Sequence, residues 1–176
     1  HQITDYQSVE HYLSRLAAVD NQFQQLLVGL KQREKRGVLP PRFVVDRVLD
    51  EMSGFVDTQP KDNILYTSLA KRLSESEVDT NEHQALLAAT EQAIQSQVYP
   101  AYQRLIDYFS SIRAHTTSDD GVWKLPDGDD YYRFQLKRQT TTELTPERIH
   151  DIGLAEVARI QSQIIAILQQ QGISDS

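Results

Sequence analysis

Residues 79–112 read DTNEHQALLAATEQAIQSQVYPAYQRLIDYFSSI, one sustained helical pattern interrupted by a single proline. Leu86, Leu87, Ile94, Val98, Tyr102, Leu105, Phe109 and Ile112 recur at helical spacings, so one face is committed to a core. Asp79 followed by Glu82 resembles an N-terminal cap. Pro100 lacks an amide proton and its ring clashes with the carbonyl one turn back. Because the apolar spacing continues on both sides of it, the expected result is a kink near Ser96 to Pro100 and not a stop.

The segments before this stretch repeat the same logic. Thr4 and Gln7 fit a capping box, and Val9, Tyr12, Leu16, Val19, Phe23, Leu26 and Leu30 then alternate at three and four residues, the seam of a helix packed along another helix. Lys31, Arg33, Lys35 and Arg36 load the negative end of its dipole, Gly37 suits a left-handed cap, and Pro40 and Pro41 forbid continuation. That basic cluster reads as a solvated helix end. Pro41 opens a second helix with a stripe of Val44, Val45, Val48, Leu49 and Met52, and Leu65, Leu69 and Leu73 mark a shorter third one.

Beyond the polar linker from His115 to Gly121, residues 122–125 alternate weakly, like a short extended arm ended by Pro126, with Trp123 as a packing anchor. A helix follows, with Asp127, Asp129 and Asp130 at its start and Lys137 and Arg138 at its end, both favourable to the dipole. The last helix has the clearest start of all, with Thr145 as N-cap, Pro146 first and Leu144 placed to staple onto Ile149. Its stripe is Gly153, Val157, Ile160, Ile164 and Ile167, and Gly172 closes it. These signals define an all-α fold, a mostly antiparallel helical bundle with one long kinked helix, read as a single helical domain over residues 1–176.

Composition narrows the function. The 176 residues are 39% apolar and 24% charged with mean hydropathy -0.51, and no apolar run approaches membrane-spanning length. Net charge -7 repels a phosphate backbone, so nucleic acid is not an expected partner. Zero cysteines remove disulfides, thiol catalysis and cysteine-ligated zinc from this chain. The chain opens at His1 without Met, which is expected of a processed or partial polypeptide.

No complete catalytic set is present. None of the five histidines is followed by Glu, so the H-E-x-x-H zinc motif is absent. Glu147 and His150 form one Glu-x-x-His pair, but a di-iron bundle needs two such pairs, and helix-dipole complementarity already explains Glu147. No metal ligand is therefore assigned. The residues best suited to a ligand are Tyr131 and Tyr132, which face different directions on one helix, and the hydroxyls of Thr140 and Thr141 at the following turn. Packing for one tyrosine and turn chemistry for the threonines are the competing readings.

The run GVWKLPDGDDYYRFQLKRQTTTELTPERIHDIGLAEVARI, residues 121–160, resembles the signature stretch of a bacterial family known as domain of unknown function 885. EHYLSRL, GVLPPRFVVDRVL and VYPAYQRLIDY resemble its N-terminal half in order. The resemblance implies the N-terminal portion of a longer helical protein similar to zinc peptidases, whose H-E-x-x-H-like motif lies in a C-terminal part. It implies zinc for the full-length protein, a peptide substrate, and a periplasmic or lipoprotein location. This chain would then form a wall of the substrate cleft through Tyr131, Tyr132, Thr140 and Thr141, with the C-terminal catalytic half as its partner. The alternative is a non-catalytic helical interaction module. If the chain is such a portion of a longer protein, the stripe on its last helix loses its natural cover, which favours self-association of the isolated chain.

Overall fold

The computed structural model describes residues 3–172. In order, these form α1 (Tyr6–Lys35), α2 (Arg42–Val56), α3 (Ile64–Ser74), α4 (Thr80–Ala93), a π-turn (Ile94–Val98), α5 (Tyr99–Arg113), a 3-10 turn (Val122–Lys124), α6 (Gly128–Thr140) and α7 (Pro146–Gln170). No strand occurs among the described residues, and the fold is all-α. The described residues divide into two compact units between Asp120 and Gly121.

The first unit is three rods running up, down and up. Val9 and Leu86, near the starts of α1 and α4, share one apolar cluster, and Tyr108 near the end of α5 bonds Glu34 near the end of α1, so these two rods are parallel. The α2–α3 rod runs back along α4–α5, α2 against α5 and α3 against α4. The amide of Arg42 at its start donates to Thr117 beyond the end of α5 (2.7 Å), and Arg113 holds Asp46 through Nε at 2.6 Å. At its far end Leu73 shares the cluster with Leu86. Successive rods are thus antiparallel, and Val9, Val45, Leu73 and Ile94 are all but inaccessible between them. Burying each such side chain contributes roughly 1.5–3 kcal/mol.

The expected interruption near Ser96 to Pro100 is the π-turn. The Tyr99 amide reaches back five residues to the Ile94 carbonyl, so the helix widens by one residue where the Pro100 ring needs room. Ser96 Oγ donates to the Gln92 carbonyl at 2.7 Å, a back-bond that favours bending. The helix therefore passes through the proline.

Helix ends follow the sequence with small shifts. The cap of α1 is Asp5 and not Thr4: its carboxylate accepts from the Ser8 amide at 2.8 Å while Ser8 Oγ accepts from the amides of Asp5 and Thr4. An anionic acceptor at the positive helix end outcompetes a neutral hydroxyl one residue earlier. At the other end the Gly37 amide bonds Glu34 and the Val38 amide bonds Arg33, a Schellman motif. Gly37 supplies the left-handed φ of 72° that this motif requires.

The second rod breaks between α2 and α3, and one buried residue holds the break. Asn63, 2% exposed, accepts the Leu65 amide at 3.0 Å as the cap of α3. Its Nδ2 donates to the Phe55 carbonyl and to the Tyr99 hydroxyl, which in turn donates to the Thr58 carbonyl at 2.5 Å. Tyr99 directly follows the π-turn, so the break in rod two is bonded to the irregularity in rod three. The rings of Phe55, Tyr102 and Phe23 pack beside this junction, and Arg104 pairs with Asp20 across α5 and α1.

Two outcomes follow for the first unit. Asn63→Ala removes a cap and orphans the Phe55 carbonyl, so denaturant unfolding should show a loss of roughly 2–4 kcal/mol. Tyr99→Phe should cost less, and the double variant less than the sum, because the two share one network. The Tyr108 phenol is pushed up to about 12 by burial first, then by the charge and hydrogen bond of Glu34. Since the folded state holds this proton more tightly, its contribution is complete below pH 10.0 and is lost as pH rises to about 12. Tyr108→Phe should flatten the alkaline fall in stability over that window; an unchanged profile would contradict this.

Candidate functional site

The second unit starts with a tightly folded lead into α6. The Lys124 and Leu125 amides bond Gly121 and Val122 at 3.3 and 3.0 Å, closing a 3-10 turn where an extended arm was expected over 122–125. No strand is present among the described residues to pair with an arm, so local hydrogen bonds satisfy this backbone instead. Glycine is required twice here. A Cβ at Gly128 would lie 2.0 Å from the Val122 carbonyl oxygen, and one at Gly121 would collide with the Trp123 indole. Trp123, expected to be a packing anchor, folds over Gly121 and remains 64% exposed.

The residues singled out in the sequence lie on α6 and the turn after it. Tyr131 and Tyr132 are both about half exposed, and the Tyr131 hydroxyl accepts from Gln135 Nε2 at 3.0 Å. Thr140 Oγ1 donates to the Leu136 carbonyl at 2.8 Å, and Thr141 Oγ1 to the Thr140 carbonyl at 2.7 Å. These two hydroxyl protons are therefore used by the turn. Thr141 itself sits at φ 55°, left-handed, a costly conformation for a β-branched residue. Tyr131 and Thr140 are nine positions apart, about 14 Å along a helix, so the four residues do not converge on one point.

What the turn does form is a cleft of about 360 Å³ between the end of α6 and the start of α7. Arg133, Phe134, Lys137, Glu143, Leu144 and Glu147 line it. Lys137 Nζ and Glu143 Oε1 pair across its mouth at 2.5 Å, while Phe134 is 62% exposed and gives it an apolar side. Tyr131, Tyr132, Thr140 and Thr141 are not among the lining residues. The sequence signal for the cleft was the i,i+4 pair Arg133–Lys137 facing Glu143–Glu147 across a threonine turn. Of these four, Lys137 and Glu147 had each read as complementing a helix dipole.

Glu147 is held at the cleft. Its carboxyl lies below the usual glutamate range because it accepts from its own backbone amide and from Thr145, with Arg133 adding a favourable charge. Thr145 also caps α7, accepting the Arg148 amide at 3.2 Å as the sequence indicated. Among the described residues no three His, Cys, Asp or Glu side chains group to hold a metal ion. Glu147 is committed to the helix end, and His150 has no set of three ligands around it among the described residues, so these residues do not fit zinc.

The family model described as "Bacterial protein of unknown function (DUF885)" matches residues 1–176. The chain belongs to this family. A crystal structure of "the putative lipoprotein from Colwellia psychrerythraea" is similar to this family member with a TM-score of 0.88 at 25% identity. The likeness covers 99% of this chain but 30% of that one, so the chain spans under a third of that protein's length. No curated protein matches it.

The Glu147 arrangement is checked by carboxyl titration in NMR. Glu147 should protonate below an ordinary glutamate, and Thr145→Val should move its midpoint up toward the ordinary value. As a carboxylate held low, its favourable interaction is present above the ordinary value and lost as pH falls through its own. An unmoved midpoint in Thr145→Val would contradict the hydrogen-bonded geometry.

Proposed function

We propose that this chain is the N-terminal helical portion of a zinc-dependent, peptidase-like hydrolase, forming a wall of its substrate cleft while the C-terminal half supplies the catalytic centre. The observation that carries the reading is the close likeness of nearly the whole chain to under a third of a longer protein. The resemblance of residues 121–160 to the family stretch supports the assignment to a peptidase-like class. In that class zinc supplies Lewis-acid activation of water, and the residues of this chain would serve only to hold the substrate.

The cleft at the α6–α7 turn suits that role. Phe134 and Leu144 offer an apolar surface for a side chain, and Arg133 and Lys137 oppose Glu143 and Glu147 where a peptide's polar groups would lie. Tyr131 and Tyr132 stand on the same helix as further substrate contacts, and Thr140 and Thr141 shape the turn. The lipoprotein described from Colwellia supports a periplasmic or membrane-anchored location for the whole protein. No helix among the described residues is long and apolar enough to cross a membrane. The second reading, a non-catalytic interaction module, is favoured by the exposed apolar face of α7.

Metal content and peptide cleavage of the longer natural polypeptide discriminate the two. The hydrolase reading predicts bound zinc and peptide cleavage that chelator abolishes, with neither in the 176-residue chain alone. A longer polypeptide that binds no zinc and cleaves no peptide would leave the interaction module.

A further inference from the structure

The stripe of α7 is built for a partner. Val157, Ile160, Ile164 and Ile167 repeat at three, four and three residues and are 53%, 44%, 50% and 58% exposed. This is the seam spacing of helix-on-helix packing, and every member is β-branched. The helix also carries residues made for water: Glu156 pairs with Arg159, which donates to Gln163 at 3.0 Å. Helices of this kind draw most of their stability in proteins from packing an apolar face. No described residue of α7 is buried.

Gly153 adds an independent sign. It lies on the same stripe one turn before Val157, and a Cβ there would meet nothing within 4 Å. Glycine in a helix interior costs about 1 kcal/mol relative to Ala, and nothing among the described residues uses the space it leaves. A second backbone approaching closely at that point would use it.

We infer that α7 is a docking helix whose Gly153–Ile167 seam is covered by a helix from the polypeptide that longer proteins of this fold carry beyond this stretch. The likeness to only 30% of a longer chain supplies the occupant, since that protein has a large remainder available to cover this face. The inference rests on the reading of the chain as part of a longer protein, but not on zinc or on hydrolysis.

The test uses Ile160→Glu/Ile164→Glu and, separately, Gly153→Leu, each in the 176-residue chain and in the longer natural polypeptide. In the short chain, the wild type should bind an apolar-sensing dye and self-associate with concentration, and the double Glu variant should do neither while keeping its helicity. Gly153→Leu should leave the short chain folded, because Leu is the better helix former. In the longer polypeptide, either variant should restore dye binding and speed proteolysis at the 141–145 turn roughly tenfold, as loss of docking raises the open population. Unchanged proteolysis in both variants would overturn the inference. So would a longer polypeptide in which the seam is buried against a second copy. Zinc absent from a longer polypeptide whose α7 is still protected would overturn the hydrolase reading alone.

Discussion

Two irregularities face each other across the first unit, and the hydrogen bonds between them fix the rest. The second rod must break between α2 and α3, and the third must widen before Pro100. Asn63 sits at the first irregularity and Tyr99 at the second, bonded at 3.1 Å with the Phe55 and Thr58 carbonyls completing the network. A buried amide that lost its partners would be penalised by desolvation, so the network tolerates only a register in which both breaks meet. The apolar seams, which alone would accept sliding by a turn, inherit that register.

The rods themselves were legible because their signals are local. The seam of α1, except at Leu26, which stands 46% exposed, the Leu65–Leu69–Leu73 stripe, the left-handed Gly37 and the interruption ahead of Pro100 all follow from period, capping and the geometry of proline. Asn63 was not legible as a buried residue. Within Pro-Lys-Asp-Asn it reads as turn chemistry, and only packing with Tyr99, 36 positions away, makes it part of the core. The α1 cap moved from Thr4 to Asp5 for a related reason, since two adjacent oxygen acceptors compete and charge decides between them.

In the second unit the sequence was read accurately at the helix starts and less so at the site. Thr145 caps α7 and Gly172 closes it at φ 76°. Trp123 was expected to be a packing anchor, but it closes over Gly121 and keeps much of its ring in solvent. Tyr131, Tyr132, Thr140 and Thr141 drew attention by residue type, whereas the cleft is made by side chains offset from them along the helix. Which residues share a face depends on rotation about the axis of α6, and the unusual backbone at Thr141 sets where the chain turns back.

The two units differ in how they are held. The first encloses Val45, Leu73 and Ile94 and carries its own polar lock; in the second, Gly128 is the buried residue among those described, and α7 presents its stripe to solvent. Residue-resolved amide hydrogen exchange on the 176-residue chain at low concentration tests this difference most directly. The amides of Val45, Leu73 and Ile94 should exchange together and slowest, through global unfolding of the first unit, while those of Val157 to Ile167 exchange far faster. Protection of α7 equal to that of Ile94 would contradict the account.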